Sequence, residues 1–405
     1  MKCLADSIRM MLAIVFLTTV ATQTVQAIEF DHAKLEQIGA RMAQFVEEQQ
    51  IAGAVTLVGT RDNVVHHAAI GYANNELRRE MRPDTVFRIA SMTKPITAAA
   101  VMILVDEGKV AVEDPVEKYL PEFQGQMLLD RREGDRVVLK KPHRPITVRD
   151  LLTHTAGVAG FPPGMRDLYS RRDRTLGEAV AMSSQQPLQF EPGSRWSYCN
   201  QGIDTLGHLV ELVSGEPYAE FLAAHIFEPL GMRETAIFPG KELLARNASI
   251  YDRKEGRLVA VEYPLIGDPR GAKHPIPAGG LFSTAADLAK FYQMTLNGGS
   301  AGDKRILSQA SLAEMTRLQT GDLPCGFTPG MGFGFGFAHV KEPLGVTAML
   351  SPGTYGHGGA FGTQGWIDPQ RGVFFVLLIQ RVSLANGDAS EMRHEFQRLA
   401  VEAIR

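Results

Sequence analysis

The chain has 405 residues, of which 44% are hydrophobic and 21% charged, enough apolar material for a large core as one big domain or two subdomains. A formal net charge of −3, with basic runs broken by acid as in Asp130-Arg131-Arg132-Glu133, gives no electrostatic footprint for nucleic acid. Cys199 and Cys325 do not make a disulfide framework, although a single bridge stays open, and no histidine or cysteine spacing matches a metal site, so neither metal nor organic cofactor is expected.

In chain order, Lys2 and Arg9 precede the apolar run Met10–Leu17, and the small-residue pattern Val25-Gln26-Ala27 follows. That run is too short to span a bilayer comfortably and reads as a cleaved leader over residues 1–27. The expectation is a secreted or periplasmic chain of residues 28–405, without integral membrane contact after cleavage. Asp31 caps a helix whose stripe is Leu35, Ile38, Met42, Phe45 and Val46. Strands are expected at 54–58 and 64–68, joined by a turn around Arg61-Asp62-Asn63, so part of the sheet is antiparallel.

Next comes Phe87-Arg88-Ile89-Ala90-Ser91-Met92-Thr93-Lys94-Pro95. A helix begun near Ser91 puts Ser91 and Lys94 on one face, with Pro95 tolerated in its first turn. A serine hydroxyl needs a base within hydrogen-bond reach, and a desolvated lysine can serve. The free amide at such a helix start can also stabilise an oxyanion. Alone, S-x-x-K arises by chance about once in a chain this long. Residues 96–105 are apolar on nearly every side and predict a central buried helix that stops at Gly108.

Residues 114–239 have helical patterning, with capping boxes at Thr147/Asp150 and Thr175/Glu178, and read as an all-helical subdomain inserted into the α/β part. Within it, Tyr198-Cys199-Asn200 follows a turn and precedes an amphipathic helix: Tyr198 is a candidate proton shuttle and Asn200 a hydrogen-bond partner for Lys94 or substrate. Thr284/Asp287 caps a helix to about Asn297. Gly298-Gly299-Ser300-Ala301-Gly302 matches a nucleophile elbow, but a helix precedes it where the elbow needs a strand. The Gly-Phe alternation of residues 332–337 predicts a strand with one aromatic and one bare face. His357-Gly358-Gly359-Ala360 enters a strand pair at 363–368 and 373–380; its glycines permit close approach of a ligand, and one amide could be a second oxyanion donor. A helix from Glu391 ends the chain. The fold class is α/β in the α+β sense: a mainly antiparallel sheet flanked by helices, with the helical insert.

In this order and at these separations, S-x-x-K, Y-x-N and H-x-G resemble the serine β-lactamase and penicillin-binding-protein superfamily. The nearest likeness is the class C β-lactamase branch, which includes family VIII carboxylesterases and D-amino-acid-specific peptidases. The segments 146–157, Glu191-Pro192-Gly193 and Pro277-Ala278-Gly279-Gly280-Leu281 extend the likeness over nearly the whole mature chain. The resemblance implies Ser91 as the acylated nucleophile and Lys94 as its general-base partner. It implies that Tyr198 assists proton transfer, that Asn200 contacts substrate, and that His357, Gly358, Gly359 and Ala360 edge the site. The Ser91 and Ala360 amides would form the oxyanion hole; which residue is the acylation base stays open.

β-Lactamases of this branch typically carry Lys-Thr-Gly where His357-Gly358-Gly359 stands here. The positive charge becomes a histidine, mostly neutral at pH 7, and the hydroxyl is gone. Each lost charge-assisted hydrogen bond is worth about 1.5–3 kcal/mol, which disfavours a substrate carboxylate. The expected function is therefore a secreted, carboxylesterase-like serine hydrolase acting through an acyl-enzyme on a small-molecule ester or amide. The rivals are a D-Ala-D-Ala carboxypeptidase or other peptidase of peptidoglycan-derived substrates, a β-lactamase, and a penicillin-binding sensor without turnover.

Overall fold

The computed structural model describes residues 28–162, 165, 167–262 and 265–405, so the expected leader lies outside the described residues. Eight antiparallel strands form the central sheet: β1 (Gly53–Thr60), β2 (Val64–Asn74), β3 (Arg79–Glu80), β4 (Met331–Phe333), β5 (Ala338–Val340), β6 (Tyr355–Gly358), β7 (Gln364–Asp368) and β8 (Val373–Leu378). Their order is β4-β5-β6-β7-β8-β1-β2-β3. The amino- and carboxyl-terminal strands of the set meet where β1 pairs with β8, with Val55 opposite Leu378.

Strand β8 shows why its sequence is continuously apolar. Val373, Phe375 and Leu377 join one core cluster, and Phe374, Val376 and Leu378 join the other, so both faces of the strand are covered. The first face is closed by the terminal helices α1 (His32–Glu47) and α7 (Glu391–Glu402), through Ile38, Met42, Phe45, Met392 and Phe396. Arg41 of α1 pairs with Glu391 of α7 at 2.6 Å. On the second face lie α2 (Lys94–Asp106) and α6 (Ala285–Leu296). Tyr292 of α6 meets Phe374 edge-on at 5.8 Å between ring centroids.

In chain order between α2 and α6 come α3 (Val148–Leu152), α4 (Leu176–Ser184) and α5 (Asn200–Ser214), the spine of the insert, with α5 packed on α2, α3 and α4. Both expected capping boxes form: the Thr147 hydroxyl accepts from the Asp150 amide while Asp150 accepts in return, and Thr175 and Glu178 do the same. Two expectations need correction. The insert is not all-helical, because Leu128–Glu133 and Arg136–Lys140 pair as an exposed antiparallel hairpin. Its alternation is weak because neither face is buried deeply enough to demand one.

The Gly-Phe run is not one strand either. Only Met331–Phe333 is extended; the chain turns through Gly336 at φ 69° and returns as β5. A Cβ at Gly336 would lie 2.8 Å from the Lys94 carbonyl oxygen, so this glycine serves close packing on α2 rather than a bare strand face. Cys199 and Cys325 are free thiols, which removes the disulfide alternative. Among the described residues no helix is long and apolar enough to cross a membrane.

Candidate active site

The strand residues Phe87–Arg88 lead into a single 3₁₀ turn, Ala90–Thr93, and only then into α2, so Ser91 sits one turn earlier than a regular helix start would place it. The turn is held in an uncommon shape. Ala90 has φ 45°, in the left-handed region, and its carbonyl accepts from the Thr93 hydroxyl at 2.7 Å. On the same turn Thr363 donates from its hydroxyl to the Ile89 carbonyl at 3.2 Å, tying the nucleophile turn to the sheet. The Ser91 and Ala360 amides donate no hydrogen bond among the described residues, and both residues line one cleft of about 370 Å³.

Lys94 is the first residue of α2 and is fully buried. Its Nζ lies 3.0 Å from Ser91 Oγ and donates to the Ala278 carbonyl at 2.6 Å. Burial lowers its pKa from 10.5 to about 7, opposed by the charge of Asp204. The Pro277–Leu281 segment thus has a concrete part: Ala278 positions the lysine, and Pro277 O accepts from Thr97 Oγ1 at 2.7 Å one turn further along α2.

Tyr198 lies over the same lysine, 4.7 Å from ring centroid to Nζ, and lines the cleft beside Ser91. Burial pushes its phenol well above the ordinary value, and interaction with the Ser91 hydroxyl partly offsets this, so the phenol is protonated at neutral pH. Asn200 opens α5, and its buried Oδ1 has no partner. Lys94 bonds Ser91 and Ala278 rather than Asn200.

His357 closes the far wall. Burial holds its pKa at about 4, so the ring is neutral at pH 7. Its Nδ1 is 2.6 Å from the Gly358 carbonyl. The two glycines after it work differently from expectation. A Cβ at Gly359 would lie 2.2 Å from Thr363 Oγ1 and 2.5 Å from the Ile89 carbonyl; one at Gly358 would lie 1.9 Å from Asp388 Oδ1. The close approach they permit is by the protein itself. Of the eight residues predicted for the site, Ser91, Tyr198, His357, Gly358, Gly359 and Ala360 line the cleft and Lys94 lies against Ser91, whereas Asn200, two residues after Tyr198, is not among its lining residues; Ser300 is elsewhere, in a two-residue strand Ser300–Ala301 that follows α6.

Besides Asp388, which also lines the cleft, two residues escaped the sequence reading. Asp204 is buried on α5; it accepts from the Ala278 amide at 3.0 Å and from the Tyr169 hydroxyl, and burial raises its pKa to about 6. Its i+4 spacing from Asn200 was the available signal, since both then share a helix face. His154 lies beneath Tyr198 with ring centroids 4.6 Å apart and accepts from the Cys199 amide at 3.3 Å. It has φ 60°, a position that no local pattern announces.

Gly207, on α5, faces the segment that holds the lysine. A Cβ there would lie 2.2 Å from Pro277 Cγ. Gly207→Ala is expected to destabilise the chain by about 1–3 kcal/mol and to lower turnover, because Pro277 cannot move without Ala278. Denaturant unfolding beside kinetics checks both.

A buried amine of near-neutral pKa against a serine hydroxyl, in a cleft with two free amides, defines a serine hydrolase on a sheet flanked by helices. The chain belongs to the Beta-lactamase family, which it matches over residues 38–399. Esterase EstB of Burkholderia gladioli is 29% identical over 390 residues, covering 89% of this chain and 94% of that protein. A putative D-alanyl-D-alanine carboxypeptidase of Salmonella typhimurium is 28% identical over 391 residues, covering 89% and 85%. Among solved structures, EstCE1, described as a hydrolase with promiscuous acyltransferase activity, superposes with a TM-score of 0.76 at 26% identity, covering 92% of this chain and 98% of that one.

Proposed function

We propose that this serine hydrolase is an esterase working through an acyl-enzyme on Ser91. The observation that carries the reading is the Lys94 amine, 3.0 Å from Ser91 Oγ with a pKa near 7. In its neutral form it takes the Ser91 proton as Oγ attacks the ester carbonyl. The tetrahedral oxyanion sits between the Ser91 and Ala360 amides. As the carbon–oxygen bond breaks, the proton passes from Lys94 through the Tyr198 phenol to the departing alcohol. Water then attacks the acyl-serine, giving up its proton by the same route, and releases the acid. Asn200 Oδ1, buried and unpartnered, accepts from a donor on the substrate.

The preference for an ester over a carboxylate-bearing amide rests on the far wall. His357 is neutral, and the backbone of Gly358 offers no hydroxyl. The similarity to Esterase EstB supports the same side, and the similarity to the putative carboxypeptidase keeps the peptidase rival in the test. A short-chain nitrophenyl ester, a chromogenic cephalosporin and a D-Ala-D-Ala peptide, each given to wild type and Ser91→Ala, distinguish them. Ester cleavage that dominates in wild type is the expected result. Fast cephalosporin turnover without ester cleavage overturns the argument from His357 and Gly358.

Export is the other part of the proposal and rests on the amino-terminal residues alone. Mature protein recovered from outside the cytoplasm is expected to begin at Ile28. Recovery of the full-length chain in the cytosol contradicts it.

Asp204 supplies a finer check on the lysine. Its negative charge favours protonated Lys94, so Asp204→Asn is expected to move the acid limb of the pH–rate profile to lower pH. The same change loosens Ala278, and kcat should fall by about tenfold. A pH profile with an unmoved limb would assign Asp204 a purely structural part.

A further inference from the structure

We infer that Asp388 makes this cleft select substrates bearing a positive charge over those bearing a carboxylate. The inference rests on the serine-hydrolase reading and names the substrate class of the same site.

Asp388 lies in the short turn Gly387–Ala389, just ahead of α7. Its carboxylate packs on the bare backbone of Gly358, with Oδ1 only 1.9 Å from where a Cβ would stand. That places a negative charge next to His357, on the wall where β-lactamases of the similar branch carry a lysine.

The position is built rather than incidental. Gln364 donates from Nε2 to Asp388 Oδ1 at 3.0 Å and to the Gly387 carbonyl at 3.2 Å. The Gln364 side chain is itself fixed by the indole N–H of Trp366 at 2.8 Å. The Asp388 amide donates to Asn386 Oδ1 at 3.0 Å, and Arg393 Nη1 donates to the Asp388 carbonyl at 2.7 Å.

What the carboxylate lacks is a counter-charge facing the cleft. Among the described residues no ion pair engages it, and the cleft lining contains no lysine or arginine. The nearest cation, Arg393, is fully buried behind the wall, with its guanidinium 4.0 Å over the Trp366 ring. It lines the small pocket behind His357 and not the Ser91 cleft, whereas Asp388 lines both. Lys94 lies beneath Ser91, and His357 is neutral. Around the rim stand Leu265, Phe327 and Leu384, which add apolar surface without charge. From behind the wall the buried Arg393 charge interacts with Asp388 and offsets part of its field, so what a substrate meets along Gly358 is the cleft-side carboxylate, in a partly desolvated setting where such an interaction is stronger than in water. An ammonium there gains attraction, and a carboxylate meets repulsion.

The test uses matched esters that differ only in one terminal group: trimethylammonium, its neutral tert-butyl isostere, or carboxylate. One set carries the group on the acyl chain and a second carries it on the alcohol. In wild type at low ionic strength, kcat/KM is expected to favour cation over anion by at least about tenfold in one set, with the isostere between them. Added salt should shrink the ratio. In Asp388→Asn the ratio should fall to within about twofold. Because the ratio compares substrates on one protein sample, loss of folded fraction cancels from it. Calorimetric binding of the same esters to Ser91→Ala reads the charge preference without turnover. A chain that binds cations selectively but cleaves nothing loses the hydrolase reading and keeps Asp388 as the selector. Equal or anion-favouring ratios in both sets of wild type, or an unchanged ratio in Asp388→Asn, overturn the inference.

Discussion

Replacing Ser91 by alanine is expected to lower kcat/KM for any ester the chain cleaves by at least about 10⁴-fold, with the fold unchanged. The size follows from the position of the hydroxyl. Ser91 Oγ is the hydroxyl 3.0 Å from the Lys94 amine, in the cleft where the Ser91 and Ala360 amides are free. Without it no acyl-enzyme forms, and the oxyanion donors alone give only residual catalysis. The structural cost is small, because Ser91 is half-buried and Lys94 keeps its bond to the Ala278 carbonyl at 2.6 Å. Losing one hydrogen bond at such a site costs about 1 kcal/mol. Steady-state kinetics together with denaturant unfolding separate the two effects. A variant that keeps full activity on all three substrate classes contradicts the mechanism.

The second large effect is at Lys94. Lys94→Met keeps the volume and removes the amine, so turnover is expected to fall by about 10³-fold or more and the acid limb near pH 7 to disappear with it. The sign of that limb follows from the base. Above pH 7 the amine is neutral and accepts a proton; below it the ammonium cannot, so wild-type activity falls as pH drops.

Lys94→Met should shift stability in the opposite sense to activity. The folded pKa of Lys94, about 7, lies below its unfolded value of 10.5, so the unfolded chain binds more protons between these limits. Burial of Lys94 therefore destabilises wild type increasingly as pH falls from 10.5 to about 7, and by a constant amount below that. Lys94→Met is expected to be inactive yet more stable at pH 7, with the advantage shrinking toward pH 10. Unfolding curves across that range check it, and a variant less stable than wild type at every pH contradicts the desolvation account.

The parts of the site that could be read from sequence are those fixed by local geometry. Ser91 and Lys94 are neighbours because three residues along a helical turn bring side chains together, and Thr147/Asp150 forms its capping box for the same reason. Strands β7 and β8 fell within the strand pair expected at 363–368 and 373–380, and the two-sided burial of β8 explains its apolar run. The Gly-Phe stretch misled because glycine spacing reports close packing as readily as strand pleating. Gly336 is bare for α2, Gly358 for Asp388 and Gly359 for Ile89. The exposed hairpin in the insert left little pattern because few of its residues are buried. His154 and Asp388 reach the site through contacts between distant segments, with no periodicity to betray them. Asp204 alone had a local signal, its spacing from Asn200.

The most direct measurement of the central claim is the mass of the protein trapped during turnover of a slowly released ester, followed by peptide mapping. The expected result is a mass increase equal to one acyl group, located on the peptide holding Ser91 and absent from Ser91→Ala. Acyl mass on a different residue, or full turnover with no covalent species in either protein, would contradict the account.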